Sequence, residues 1–264
     1  MGDPPATPAL VRPEGEPPVR RDDGDGSTVP EPMSTVKIVA LAAAGLLLLS
    51  GGAFGLSEAF RRTADSREVI TNKVQRIVVN ADAGDVELRA GLTGDIVVAR
   101  HDSWLLDRPT VVERIQGDTL SITTRCGSLR SVLRCRTDLK IDAPPELDVV
   151  VRTDAGDVDL RGLSGRAEVA TGSGNIRAQR LEPITVKART SAGDVALDLF
   201  GQPARTEVHS DAGDVHVTVP YGPYRVDADT DAGSVKVEGV IRDDLAPQAI
   251  AALTDAGDIL VRAR

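Results

Sequence analysis

Aspartate offers the most chemistry in this chain, and it recurs at fixed places. Asp85, Asp157, Asp194, Asp214 and Asp258 each follow a glycine, while Asp82, Asp154, Asp211, Asp231 and Asp255 each precede an alanine. Carboxylates spaced by one rise of a stacked repeat could coordinate Ca²⁺ through oxygen and so relieve their own repulsion. Alternatively, a pair could do acid–base work on a polysaccharide, which needs two carboxyl groups converging in unlike environments. A third role is local: Asp beside Gly accepts hydrogen bonds from backbone N–H groups and steadies its turn. Recurrence at every turn favours the third role, because a catalytic pair occurs once and the nine-residue calcium-roll repeat is absent. Asn175 and Ser234 stand at two of these places with no evident compensation.

Other candidates are sparse. His209 and His216 flank one turn, His101 is distant, and none lies in a nucleophile or metal motif. No catalytic, cofactor-binding or metal-ligating residue is assigned, and calcium is the one ion that the aspartates raise. Aromatic residues make up 2% of the chain, too few for stacking platforms on sugars or single strands. The net charge of -9 argues against nucleic acid held by bulk charge. The only cysteines, Cys126 and Cys135, can close a short disulfide loop of about 2 to 3 kcal/mol, with two unpaired thiols as the alternative. Disulfides persist outside the cytoplasm. The loop also carries Arg125, Arg130, Arg134 and Arg136, a solvated run or a contact for anionic wall polymer or headgroups.

These residues need elements to hold them, and the chain changes character along its length. Residues 1–35 hold half of the sixteen prolines and few large apolar side chains, so they form a disordered tail, with a PxxP match at Pro5–Pro8. Residues 38–57 are twenty uncharged residues, enough for a helix across a bilayer, and a removed signal peptide is the alternative. Basic residues flank both sides, and the positive-inside count would put the large domain in the cytoplasm. Long domains translocate regardless of charge, and the cysteine pair favours export.

A six-residue unit close to Thr-Asp-Ala-Gly-Asp-Val then recurs, with its glycines at Gly84, Gly156, Gly174, Gly193, Gly213, Gly233 and Gly257. Period-two apolar alternation on both sides reads as strand, tight turn, strand, the glycine taking a positive φ. A unit of about twenty residues cannot bury its own apolar face, whereas stacked units bury a continuous column. The predicted fold is all-β: a right-handed parallel β-helix-like solenoid of five or six coils, ~25 to 30 Å long, after a single transmembrane helix. A β-sandwich of hairpins is the alternative. Thr153, Thr171, Thr190, Ser210, Thr230 and Thr254 would place one hydroxyl per coil along the stack. The predicted division is a tail over 1–35, a membrane helix over 36–60 and a linker over 61–68. An N-terminal β cap with the cysteine loop follows over 69–150, then repeats over 151–264. Within the cap, strands are expected near 74–79, 96–100, 111–115, 120–124 and 139–141.

The Gly-rich anchor, the serial T-[DS]-A-G-D-V units and the two-cysteine loop together resemble the bacterial DUF4097 family, β-strand-repeat proteins described as candidate adhesins. Only five of the 31 basic residues are lysine, which fits a GC-rich, actinobacterial genome. The resemblance implies an envelope-associated repeat domain and brings no catalytic motif. The expected function is a single-pass membrane protein whose extracellular C-terminal domain is a non-enzymatic binding or structural module. Its expected partners are the bilayer through residues 38–57 and an envelope polymer or another envelope protein. A stress sensor or accessory factor acting through its tail or anchor is the second reading, and a polysaccharide-active β-helix enzyme the third.

Overall fold

The computed structural model describes residues 62–127 and 135–264. The tail over 1–35, the membrane helix over 36–60 and the tip of the cysteine loop with Arg130 and Arg134 lie outside them. Among the described residues no helix is long and apolar enough to cross a membrane.

Seven coils share one plan, and all the regular structure described is β. A strand of sheet B runs to a glycine corner and continues as a strand of sheet A. The sheet B strands are β2 (Arg76–Ala83), β8 (Asp148–Ala155), β10 (Ala167–Ser173), β12 (Thr185–Ala192), β14 (Arg205–Ala212), β16 (Pro223–Ala232) and β19 (Ala249–Ala256). Their respective continuations are β3 (Val86–Ala90), β9 (Val158–Arg161), β11 (Ile176–Leu181), β13 (Val195–Leu199), β15 (Val215–Val219), β17 (Val235–Glu238) and β20 (Ile259–Ala263). Each strand pairs in parallel with its counterparts in adjacent coils, for example Thr171 with Thr153 on one side and Thr190 on the other. Alternate residues such as Val149, Val151, Val158 and Leu160 point inward and join one core drawn from both sheets. The hairpin sandwich is thereby replaced: each corner joins strands of different sheets, not antiparallel neighbours of one.

The stack is longer than expected. Each sheet is ten strands wide, about 43 Å at ~4.8 Å per strand. Apart from the two-residue β18 (Ile241–Arg242), the extra strands come from the N-terminal region, where β6 (Thr119–Arg125) and β7 (Cys135–Ala143) form an eighth coil beside β2 and β3. This coil keeps Thr124 in register with Ala81, and its corner is the cysteine loop, closed by the Cys126–Cys135 disulfide. Beyond it β4 (Ile96–Trp104), β1 (Arg62–Ile70) and β5 (Thr110–Gln116) add antiparallel edges. The expected linker over 61–68 is therefore strand from Arg62 on. Ala64 is half-buried and only Ile70 is buried, so no apolar alternation marks this strand.

The order of coils in space is not the order in sequence. The β2–β3 coil lies between β6–β7 and β8–β9, and the last coil, β19–β20, lies between β14–β15 and β16–β17. The spacing of 24 residues from Gly233 to Gly257, against 18 to 20 between successive corners from Gly156 to Gly233, contains β18 (Ile241–Arg242) and the segment that carries the chain back past β16. The C-terminal strand consequently has a partner on both sides.

Reduction of Cys126–Cys135 releases a link between β6 and β7 that stands outside the file of corner glycines. It is expected to cost about 2 to 3 kcal/mol, a fall in Tm of roughly 4 to 12 °C for a domain of this size, read by thermal melts with and without reductant. An unchanged Tm would mean that the loop constrains nothing.

Candidate functional site

The corners are where the repeated residues meet, and their geometry follows from one steric fact. Gly156, Gly174, Gly193, Gly213 and Gly257 have φ between 144° and 147°, which L side chains rarely adopt. At each, an added Cβ would lie 2.1 to 2.2 Å from the carbonyl oxygen of the glycine in the neighbouring coil. Gly84 and Gly233 complete the file, the first meeting Thr137 O and the second Gly257 O, each at 2.0 Å. All seven predicted corner glycines therefore line up.

Such a sharp corner breaks the strand ladder, leaving backbone groups that need partners. The glycine N–H still donates along the stack, as Gly193 N does to Ala212 O at 2.9 Å. The glycine carbonyl is met by a hydroxyl: Thr171, Thr190, Ser210, Thr254 and Thr230 donate to Gly156, Gly174, Gly193, Gly213 and Gly257 at 3.0 to 3.1 Å. Thr153 is the exception, its buried hydroxyl having no partner.

The residue after each glycine supplies the other half. Asp157 N donates to Asp85 Oδ1, Asn175 N to Asp157 Oδ1, Asp194 N to Asn175 Oδ1, and Asp214 N to Asp194 Oδ1, all at 2.8 to 2.9 Å. Asp258 N continues to Asp214 Oδ1 and Ser234 N to Asp258 Oδ1, both at 2.8 Å. At the other end Asp85 N reaches Asp138 Oδ1 at 2.9 Å. The expected local turn bond is thus an inter-coil ladder of eight side chains. It also explains the two departures. Asn175 retains an acceptor oxygen, and Ser234 stands on the outermost coil, β16–β17, where it only has to donate. Asp138 belongs to the ladder but was hidden in the sequence by the inserted loop before it; the Thr-Asp-Leu at 137–139 is the trace that could have revealed it.

Electrostatics fit this role. The Ser234 N–H and hydroxyl hold the Asp258 carboxyl below its ordinary range. Arg136 bridges Asp85 and Asp138, and Arg177 reaches Asp157 at 3.5 Å, countering repulsion along the file. The aspartates before alanine share no such geometry. Asp82 Oδ2 accepts from Cys126 N at 2.9 Å, and Asp211 is held low by the Ser191 hydroxyl and by His209, which lies 2.8 Å away. His101 pairs with Asp65 at 2.6 Å, and His216 lies on β15, in the sheet opposite His209, so the three histidines do not converge. Among the described residues no group of three or more His, Cys, Asp or Glu could hold a metal ion.

Replacing Asp194 with Ala is expected to cost roughly 1 to 2 kcal/mol through the orphaned Asp214 N–H, while Asp194→Asn stays within about 0.5 kcal/mol because Oδ1 remains. Chemical denaturation of the pair tests this, and equal losses would remove the ladder as a source of stability.

Away from the corners, the outer face of sheet B carries charges in registered rows. A depression of about 510 Å³ on it is lined by Glu168, Lys187, Arg189, Glu207, His209 and Leu253 among others. The Lys187 ammonium and Arg205 hold Glu207 below its usual range.

Residues 70–262 match the family described as Toastrack DUF4097. No curated protein matches this chain. Similar solved structures include a protein from Clostridium sporogenes provisionally described as a cell adhesion protein, 13% identical, TM-score 0.43, covering 77% of this chain and 100% of its own. A provisional adhesin from Bacteroides fragilis is 16% identical, TM-score 0.41, with 77% of this chain and 97% of its own covered. Another from Parabacteroides distasonis is 11% identical, TM-score 0.36, with 77% and 97% covered.

Proposed function

The chain belongs to the Toastrack DUF4097 family, and from that membership together with its corner chemistry we propose a non-enzymatic binding or structural module of the cell envelope. In this reading residues 38–57 form a single membrane-spanning helix, the β domain faces outward, and its coils wind right-handed as parallel crossovers do. The observation that carries it is the ladder itself. All seven acceptors of the ladder are Asp or Asn oxygens bonded to the next coil's backbone, so the recurring carboxylates build the stack. What the domain then offers a partner is two regular outer faces whose side chains are fixed in rows, the geometry of an adhesive surface. The disulfide supports placement outside the cytoplasm, where such bonds persist.

Protease treatment of intact cells, read by mass spectrometry, is expected to release peptides from 62–264 and none from 1–35. The full-length chain should also bind isolated envelope material, with K187E/R189E on the outer face of sheet B weakening it at least fivefold. Peptides from 62–264 that appear only after lysis would overturn the placement. Envelope binding that is absent would overturn the module.

A further inference from the structure

The two ends of the coil stack are finished differently. At the N-terminal end, antiparallel β1 and β5 close the sheets, and half-buried Glu113 of β5 lies beside the exposed Glu68 of β1, near the buried ion pair of Arg100 Nε and Asp102 Oδ2 at 3.2 Å. An inward charge such as that of Glu113 protects a sheet edge from further pairing.

The other end is open. Strand β18 covers only Pro223 and Tyr224, and among the described residues nothing pairs with the far side of β16 from Arg225 to Ala232. Arg225 N donates to Gln248 O, so by strand alternation the odd residues bond toward β19. Val226, Ala228 and Thr230 therefore aim their N–H and C=O groups away from the stack. Their side chains face the core yet are half-exposed, whereas Ile250 and Ala252 one coil further in are 1% and 0% exposed. On β17, Val235 is 41% exposed against 1% for its partner Ile259. The core simply ends here.

The charge on this edge selects its occupant. Asp227, Asp229 and Asp231 occupy alternate outer positions of β16, all exposed, and none has an ion-pair partner among the described residues. Asp255 on β19 lies beside the same row. A second copy paired edge to edge would set these rows of like charge against each other. Opposite charges at alternate positions of an added strand would instead form cross-strand pairs.

We propose that β16 is a strand-addition site for an extended basic polypeptide segment. Lysine or arginine at every second position of the segment pairs with Asp227, Asp229 and Asp231, and the small apolar residues between them cover Val226 and Ala228. This rests on the reading of the domain as a binding module and names one of its surfaces.

The test uses the full-length chain and a blocked nine-residue peptide alternating lysine with alanine or valine. The controls are the same composition with its lysines clustered, and the glutamate counterpart. The alternating lysine peptide is expected to bind at least tenfold more tightly than either control, and to slow amide exchange at Val226, Ala228 and Thr230 at least tenfold. Added salt weakens it, and D227K/D229K transfers the preference to the glutamate peptide. Equal binding of the clustered peptide, or protection at another edge, overturns the proposal. So does concentration-dependent protection without peptide, which would make a second copy the occupant. Peptide binding without envelope binding overturns only the broader function, while the converse moves the adhesive surface elsewhere.

Discussion

Gly193→Ala is expected to abolish cooperative folding of the coil stack, or to leave a residual fold weaker by at least about 4 kcal/mol. Two costs add. The residue must keep φ near 144°, a region L side chains rarely adopt, and its Cβ must sit 2.2 Å from Gly174 O and 2.6 Å from Gly174 C. Relief requires the two coils to part by more than an ångström at the corner. That movement would break Gly174 N to Ala192 O, Ile176 N to Asp194 O and Asp194 N to Asn175 Oδ1 together, all now at 2.9 Å. Gly233→Ala should cost visibly less, because its coil has a neighbour on one side only and can lift away. Gly94→Ala, with nothing within 4 Å of its added Cβ, should stay within about 0.5 kcal/mol of the parent. Thermal and urea melts of the three variants test the order. A Gly193→Ala protein melting within a few degrees of the parent would mean that the glycine file is not what sets coil spacing.

The same corners explain how much of this fold could be read from the chain. The seven glycines, the flanking alternation and the column of hydroxyls are local patterns, and each survives in the structure where it was expected. The cysteine pair is bonded, but it also replaces a corner, which was illegible because the inserted loop separates Thr124 from Thr137 and Asp138. The aspartate ladder was misread as a turn device for a simpler reason: a carboxylate next to a corner can reach an N–H of its own turn or of the next, and sequence does not distinguish the two. Coil order was harder still. Ser210 can lie beside Thr230 or Thr254 with equal chemistry, since near-identical units present near-identical edges, and only the longer return after Gly233 hinted that the last coil slots in one place early. Edge strand β1 is hard to read because an edge needs no apolar alternation, and its residues before Ile70 are exposed apart from half-buried Ala64.

On the other N-terminal edge strand, β5, Glu113 should make stability depend on pH. Burial, with the nearby Glu68 carboxyl, pushes Glu113 from its ordinary 4.5 up to about 7, and Arg100 only partly offsets this. A folded-state value raised above the unfolded one means that the protonated group's contribution is complete below about pH 4.5. It is lost as pH rises through 7, after which the penalty is constant. Converting the shift gives about 3 kcal/mol, or a fall in Tm of roughly 6 to 12 °C between pH 4.5 and 8 from this site alone. Glu113→Gln keeps the shape and can donate its amide hydrogen to Glu68, but cannot ionise. The variant is therefore expected to match the parent near pH 4.5 and to melt well above it at pH 8. Groups remote from this edge act equally on both proteins, so the difference between the two Tm curves reports Glu113 together with the Glu68 carboxyl that it faces. Parallel curves across that range would show that the N-terminal edge tolerates both charges, with β1 held by its pairing to β4 and β5 by its pairing to β6.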